Sequence, residues 1–250
     1  MLTTQRRVLI STRLARDGEI VAKRLADELD LSEDTIRRDL REMAAEGLLK
    51  RVHGGALPLV PPLPNFAARQ EIGSDVKRRL GQKAATLIGA GQTIFLDGGT
   101  SNAEIARALP RAMRVTVVTH SPTIAAELER HDAEVILIGG RLYKHSMVAT
   151  GAAALAAIAG IRVDLFFLGV TAIHPVHGVS TGDFEEAAVK RAILNQAAET
   201  YVLATVEKFG TVSPHRAAEI AELAGFIVPK EIEGATLAPY EDAGITIVRA

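Results

Sequence analysis

The sequence predicts an α/β protein in two parts, a small, mainly helical head followed by a larger domain on a mostly parallel sheet. Three observations carry this. Residues 1–57 read as helices and then a short β-ribbon; residues 58–75 hold four of the ten prolines and no clear periodicity; from residue 76 apolar, β-branched runs alternate with helical stretches. The expected boundaries are therefore 1–57 for the head, 58–75 for a linker and 76–250 for the second domain.

Composition narrows the class. The chain has 250 residues, 48% hydrophobic and 24% charged, enough to bury a sizeable core. It has no cysteine, which excludes a disulfide framework, a zinc-thiolate site and thiol catalysis. The N-terminal stretch lacks the apolar centre of a signal peptide, and the run VATGAAALAAIAGI (148–161) is too short to span a bilayer. That run reads as a buried helix, and a soluble cytoplasmic protein is expected. The net charge of −1 gives no support to nucleic-acid binding through bulk charge, so any such case rests on where the charges sit.

In the head, a first helix is expected over about 3–16, broken by Asp17-Gly18. A second starts near Glu19, with Val21, Leu25 and Leu29 on one face. A short turn at Asp30-Leu31 leads to Ser32, a good N-cap, with Glu33 and Asp34 in the first turn of a third helix. Ile36, Leu40 and Met43 form its buried stripe, and Gly47 ends it. Leu48–Val52 reads as a strand and His53–Leu57 as a tight turn returning from it. Two short helices across a short turn, the second followed by a ribbon, outline a winged helix-turn-helix. Thr35, Arg37, Arg38 and Arg41 then lie towards the exposed sides of the third helix. They could be plain solvated partners, because Glu33–Arg37, Asp34–Arg38 and Arg38–Glu42 are i,i+4 pairs worth only ~0.2–0.5 kcal/mol each. The capped turn, the arginines near the helix start and the basic Lys50-Arg51-Val52-His53 ribbon favour a major-groove helix with a phosphate-touching wing. On that reading Ser32, Thr35, Arg37, Arg38 and Arg41 face the groove and nearby backbone, and Lys50, Arg51 and His53 face phosphates.

In the second domain, strands are expected at 93–97, 115–120, 134–140, 164–170, 200–206, 225–229 and 245–248. Helices are expected near 77–89, 101–109, 122–130, 150–159, 184–198 and 216–224. Strands apolar throughout and separated by helices imply a mostly parallel sheet covered on both faces. Ligands of such sheets bind beyond the carboxyl ends of the strands. The segments there are Asp97-Gly98-Gly99-Thr100-Ser101-Asn102, Thr119-His120-Ser121-Pro122, Gly139-Gly140-Arg141, Gly169-Val170-Thr171 and Glu207-Lys208-Phe209-Gly210. The first, two glycines and hydroxyls opening a helix, suits an anion and above all a phosphate, though glycine after a strand is usually just a turn. With Lys208 and Arg141 reaching the same crevice, a phosphorylated small molecule is the better guess. Asp97, Glu186 and Lys208 could alternatively form an acid–base set for sugar chemistry. His174 and His177 lack a third ligand, so neither a metal nor a cofactor is expected.

The segment LADELDLSEDTIRRDLREMAAEGLLKRVHGGA, with IFLDGGTS, VVTHS, ILIGGRL, FFLGV, EEAAVKR and EKFG, resembles the DeoR family of bacterial transcriptional regulators over nearly the whole chain. The resemblance implies a second domain with the fold shared by ribose-5-phosphate isomerase, glucosamine-6-phosphate deaminase and CoA transferases. It implies a regulator, most often a repressor, of sugar-catabolism genes that answers to a phosphorylated sugar. By the motif match, Asp97, Gly98, Gly99, Thr100 and Ser101 would cradle that effector, joined by Thr119, Gly139, Gly140, Glu186 and Lys208; His120 and Arg141, in the same loops, are further candidates for contact. The chain departs from the family pattern at Ser101, His120, Thr205 and Glu207. The partners expected are double-stranded operator DNA, through at least a homodimer, and the effector, which would reorient the heads through the linker. The rival expectation is a sugar-phosphate isomerase or deaminase with an accessory head.

Overall fold

A computed structural model describes residues 2–58 and 64–250; residues 59–63, within the stretch read as linker, lie outside the described residues. The head is formed by α1 (Thr3–Asp17), β1 (Ile20–Val21), α2 (Ala22–Leu29), α3 (Glu33–Ala45), β2 (Lys50–Val52) and β3 (Gly55–Leu57). Gly18 ends α1 in the left-handed conformation, φ 76°, as its position after Asp17 predicts. Ile10, Leu25, Ile36, Leu40 and Met43 pack into one core, so the predicted stripe of α3 is buried.

Two expectations for the head need correction. The second helix starts at Ala22, not Glu19. Ile20 and Val21 form a strand paired with Ala56 and Gly55, Val21 is 45% exposed, and the buried face is Ala22, Leu25 and Ala26. Only His53-Gly54 turns, because Gly55–Leu57 is the central strand of a three-stranded sheet ordered β1-β3-β2. A Cβ at Gly55 would lie 1.7 Å from the Ile20 carbonyl oxygen, so only glycine admits that third strand.

The residues after the head form α4 (Phe66–Glu71), α5 (Ser74–Ala85), β4 (Thr93–Leu96), α6 (Thr100–Ala108), β5 (Thr116–Thr119), α7 (Pro122–Glu127) and β6 (Glu134–Leu137). Next come β7 (Arg141–Tyr143), β8 (Val148–Thr150), α8 (Ala152–Ala159), β9 (Val163–Leu168), β10 (Ala172–His174), β11 (Gly178–Thr181) and α9 (Phe184–Leu194). The chain closes with β12 (Ala197–Leu203), β13 (His215–Ala218), β14 (Gly225–Val228), α10 (Gly234–Glu241) and β15 (Thr246–Arg249). The seven predicted strands make one sheet, ordered β15-β14-β12-β9-β4-β5-β6, and every pairing in it is parallel.

Both faces of that sheet are covered. Phe95, Phe166, Leu168, Val202 and Phe226 face α8, α9 and α10, while Ile94, Leu96, Leu165, Phe167 and Ile227 face α5, α6 and α7. Burying each such side chain contributes about 1.5–3 kcal/mol. Alternate residues of a strand point to opposite faces, so continuous apolar runs are what a doubly covered sheet requires.

The differences lie at the periphery. Asn65, whose side chain accepts from the Ala68 N–H, caps a short helix, α4, inside the stretch read as linker. The segment 216–224 is not a helix: β13 pairs with β11 and a 3-10 turn follows at Ile220–Glu222. Ala217, Ala218, Ile220 and Leu223 of this segment are nonetheless buried. Residues 148–161 are not one buried helix either, since β8 occupies the start and α8 buries only Ala154 and Ile158. Alanine tolerates both settings, so the run carries no signal of exposure. No helix among the described residues is long and apolar enough to cross a membrane.

Candidate functional site

Two sites emerge, one on each part of the chain. In the head, the Ser32 hydroxyl accepts from the Thr35 N–H at 3.2 Å and contacts the Thr35 hydroxyl at 2.8 Å, fixing the start of α3. A buried ion pair then locks that helix to α1: Arg6 Nε lies 2.6 Å and Nη2 3.0 Å from the Asp39 carboxylate oxygens. Arg37, Arg38 and Arg41 are exposed on the outer side. Of the three expected pairs only Glu33–Arg37 forms, at 2.7 Å; Arg38 and Arg41 have no ion pair among the described residues. Arg51 and His53 are exposed on the wing. Lys50 is half-buried and borders a groove shared with His177, Ser213 and Arg216 of the larger domain.

The second site is a cleft at the carboxyl edge of the sheet, between the loops after β4, β9 and β12. The strand order explains its position. From β4 the chain builds β5 and β6 to one side, then crosses to add β9, β12, β14 and β15 on the other. The β4/β9 gap is thus the switch point, where adjacent loops diverge and leave a crevice.

Asp97 closes the floor. Its buried carboxylate accepts from Lys190 Nζ at 2.6 Å and from the N–H groups of Gly98 and Gly169 at 2.8 Å, and its Oδ1 lies 2.7 Å from His120 Nε2. Burial alone would push this carboxyl up; Lys190 and His120 outweigh it and hold the group down to about 2. Lys190 also lies 3.3 Å from Glu186, which accepts from the Thr181 hydroxyl at 2.8 Å. Burial opposes the Lys190 charge, but Asp97 and Glu186 together raise its pKa. Glycine is required twice here: a Cβ at Gly98 would sit 2.0 Å from Val148, and one at Gly169 2.6 Å from the Gly98 carbonyl oxygen.

Above the floor the cleft is electropositive. Gly99 caps α6 without a side-chain acceptor, so the first amides of that helix open on the cleft beside Thr100 and Ser101. Arg69 of α4, Lys77 of α5 and Lys208 complete the wall, and none of the three makes an ion pair among the described residues. Burial pulls Lys208 down to about 8; Glu207 opposes the shift, while Lys77, Arg69 and Lys190 add to it. Such a set suits a multiply charged anion with hydroxyls at its other end.

The structure brings Gly98, Gly99, Thr100, Ser101, Glu186 and Lys208 together around this cleft. Asp97 and His120 lie beneath it, and Thr119 is buried, its hydroxyl donating to the Leu96 carbonyl at 2.6 Å. Gly139, Gly140 and Arg141 do not line it. They follow β6, two strands beyond β4 on the far side of the switch point, and Arg141 turns to solvent to pair with Glu185. Thr171 and Thr205, noted in the sequence at the strand ends, also line the cleft, whereas residue reasoning missed Arg69, Lys77, Ser146, Thr181 and Lys190. Lys190 was within reach, one helical turn after Glu186; Arg69 and Lys77 carried no signal, since nothing in the order of residues aims the linker or the helix after it at the carboxyl edge of the sheet. His174 Nδ1 accepts from the N–H groups of Val176 and His177, and no group of three or more metal-ligating side chains gathers among the described residues.

A winged helix-turn-helix joined to a doubly covered parallel sheet with an anion-suited cleft defines a DNA-binding regulator with a sensing domain. Residues 6–59 match the model of the DeoR-like helix-turn-helix domain and residues 73–230 that of the DeoR C-terminal sensor domain. The chain belongs to the DeoR family and is a transcriptional regulator. It is 34% identical over 234 residues to the HTH-type transcriptional regulator GlpR of Haloferax volcanii, covering 93% of this chain and 91% of that one. It is 32% identical over 212 residues to the glycerol-3-phosphate regulon repressor of Escherichia coli K12, covering 84% of each. Among solved structures, ribose 5-phosphate isomerase A of Methanocaldococcus jannaschii matches 54% of each chain at 16% identity and a TM-score of 0.41.

Proposed function

We propose that the chain is a repressor of a sugar- or polyol-catabolism operon, released from its operator when a phosphorylated metabolite enters the cleft. The observation that carries this reading is the wall of Arg69, Lys77 and Lys208, three cations facing one cavity without ion-pair partners among the described residues, opposite the hydroxyl-binding Thr181–Glu186–Lys190 set. The repressor sign is supported by relatives whose names carry it, among them the glycerol-3-phosphate regulon repressor. Ser32, Thr35, Arg37, Arg38 and Arg41 would enter the major groove, and Arg51 and His53 with Lys50 would hold phosphates. Gly98, Gly99, Thr100, Ser101, Glu186 and Lys208 would bind the effector, with Asp97 and His120 positioning Lys190 from below. The protein would act as at least a homodimer on two half-sites, without catalysing turnover and within the cytoplasm.

Binding of the purified protein to its own promoter region, against random DNA and across salt concentrations, tests this, with and without a panel of sugar and polyol phosphates. Sequence-selective binding lost on adding one phosphate ester is the expected result. Turnover of a panel member, abolished in Asp97→Asn, would instead favour an isomerase- or deaminase-like enzyme.

A further inference from the structure

Arg69 belongs to the segment between the two parts of the chain, yet its guanidinium lies over the carboxyl edge of the sheet. One terminal nitrogen donates to the His145 carbonyl at 3.1 Å. The Nε–H is buried and makes no hydrogen bond. A buried guanidinium donor without an acceptor is costly, so the position is suited to an acceptor arriving from the cleft. Lys77 stands beside it, its ammonium donating to the Arg69 carbonyl at 2.6 Å. Lys208 enters from the loop after β12, close enough that Lys77 and Arg69 help lower its pKa. Three cations from three segments therefore repel one another across one small volume.

We propose that Arg69, Lys77 and Lys208 form a clamp for a phosphate monoester and that Arg69 is the residue through which occupancy of the cleft reaches the DNA-binding head. This rests on the reading of the cleft as an effector site. A phosphate monoester offers up to two charges on three oxygens, whereas a carboxylate offers one charge on two. The guanidinium fork takes two of the phosphate oxygens at once, through Nε and a terminal nitrogen, leaving the third for the two ammonium groups. The hydroxyl end of the same ligand then meets Thr181, Glu186 and Lys190. Cancelling the repulsion draws α4 onto the cleft. That helix starts at Phe66, which is buried, soon after the wing strand that ends at Leu57. The wing end is itself tied to the larger domain, since Pro58 accepts from the Val212 N–H at 3.4 Å. Eight residues, 58–65, separate Leu57 from Phe66, so a shift of α4 acts on the chain close to the wing.

The test uses the full chain and two readouts: ligand binding by calorimetry, and release of fluorescent promoter DNA. The probes are a panel of sugar and polyol phosphates, each beside its unphosphorylated parent, and inorganic phosphate. For the ester that releases wild-type protein, Arg69→Gln should raise the half-release concentration at least about tenfold and erase most of the preference for ester over parent. Arg69→Lys should restore part of the binding but less of the release, because it keeps the charge and loses the fork. A variant that merely folds poorly would weaken ester and parent alike, which counts against the clamp. Release by the same ester at the wild-type concentration in both Arg69 variants would overturn the proposal while leaving the effector site intact. A wild-type protein that binds its promoter but ignores the whole panel would overturn the effector reading and the clamp with it.

Discussion

Asp97 and Lys190 lie 93 positions apart in the chain and meet at 2.6 Å beneath the cleft. The pair joins the loop after β4 to the middle of α9. It is buried, so its value lies in being complete. Lys190→Met would leave the Asp97 carboxylate with His120 and two amides as its only partners, and breaking a buried pair costs about 3–5 kcal/mol. Urea denaturation of the variant should show that loss, and a midpoint equal to wild type would contradict it.

The same pair sets an acid limit. Asp97 titrates lower in the folded chain, about 2 against an ordinary 3.8. Its contribution is fully present above the unfolded value and is lost as pH falls through the folded one. Thermal unfolding followed from pH 5 to pH 2 should lose stability chiefly below pH 4, and Asp97→Asn should flatten that part of the curve.

Lys208 behaves in the opposite sense. Its pKa is lowered to about 8, so the ammonium form is disfavoured in the fold and begins to disappear above that pH. A bound phosphate ester favours the charged form, so binding takes up a proton and affinity falls as pH rises past 8, by at most about tenfold per unit. Calorimetry at pH 7, 8 and 9 should show the fall, and Lys208→Met should remove most of it.

The head makes a separate prediction. Asp39→Ala removes the carboxylate that the buried Arg6 guanidinium faces and should cost about 3–5 kcal/mol, concentrated in the head. Promoter binding should fail while calorimetric ligand binding persists. Replacing both partners by apolar residues, Arg6→Met with Asp39→Leu, should recover most of the stability.

Arg38 and Arg41 are exposed and without ion-pair partners among the described residues, unlike Arg37, which Glu33 holds. Where such an arginine touches DNA phosphate, its replacement by glutamine should lower the log–log salt slope by about 0.9. Where it reads a guanine, specificity should relax at about 1–3 kcal/mol instead. Titrations at three salt concentrations with cognate and random DNA separate the two.

The central sheet is legible because its physics is local. Runs such as FFL in β9 and FIV in β14 read as strands buried on both faces, and all seven predicted runs are found in the sheet, although the edge strand β6 leaves Ile136 and Leu137 exposed. Strand order is not local, and which loops share a crevice depends on it. Grouping the loops after all the strands takes in Gly98 and Lys208, which line the cleft, together with Gly139 and Arg141, which lie on the far side of the switch point. The short antiparallel pieces escape for a related reason: β10, β11 and β13 exist only because each finds the next, and β13 has the composition of a helix. Arg69 shows the limit most plainly, since a residue in a proline-rich linker carries no mark of the cavity it will face.

The loop after β12 holds Thr205 and Glu207, which touch each other at 2.5 Å and lie beyond the last strand residue, Leu203. Neither supports the Asp97–Lys190 floor, and neither is one of the large apolar residues of the core. On the proposed reading of the cleft, ligand preference and foldedness are encoded in separate places. A lineage, or a protein engineer, would then retune which metabolite is heard by changing the rim at two positions, without renegotiating the architecture that listens.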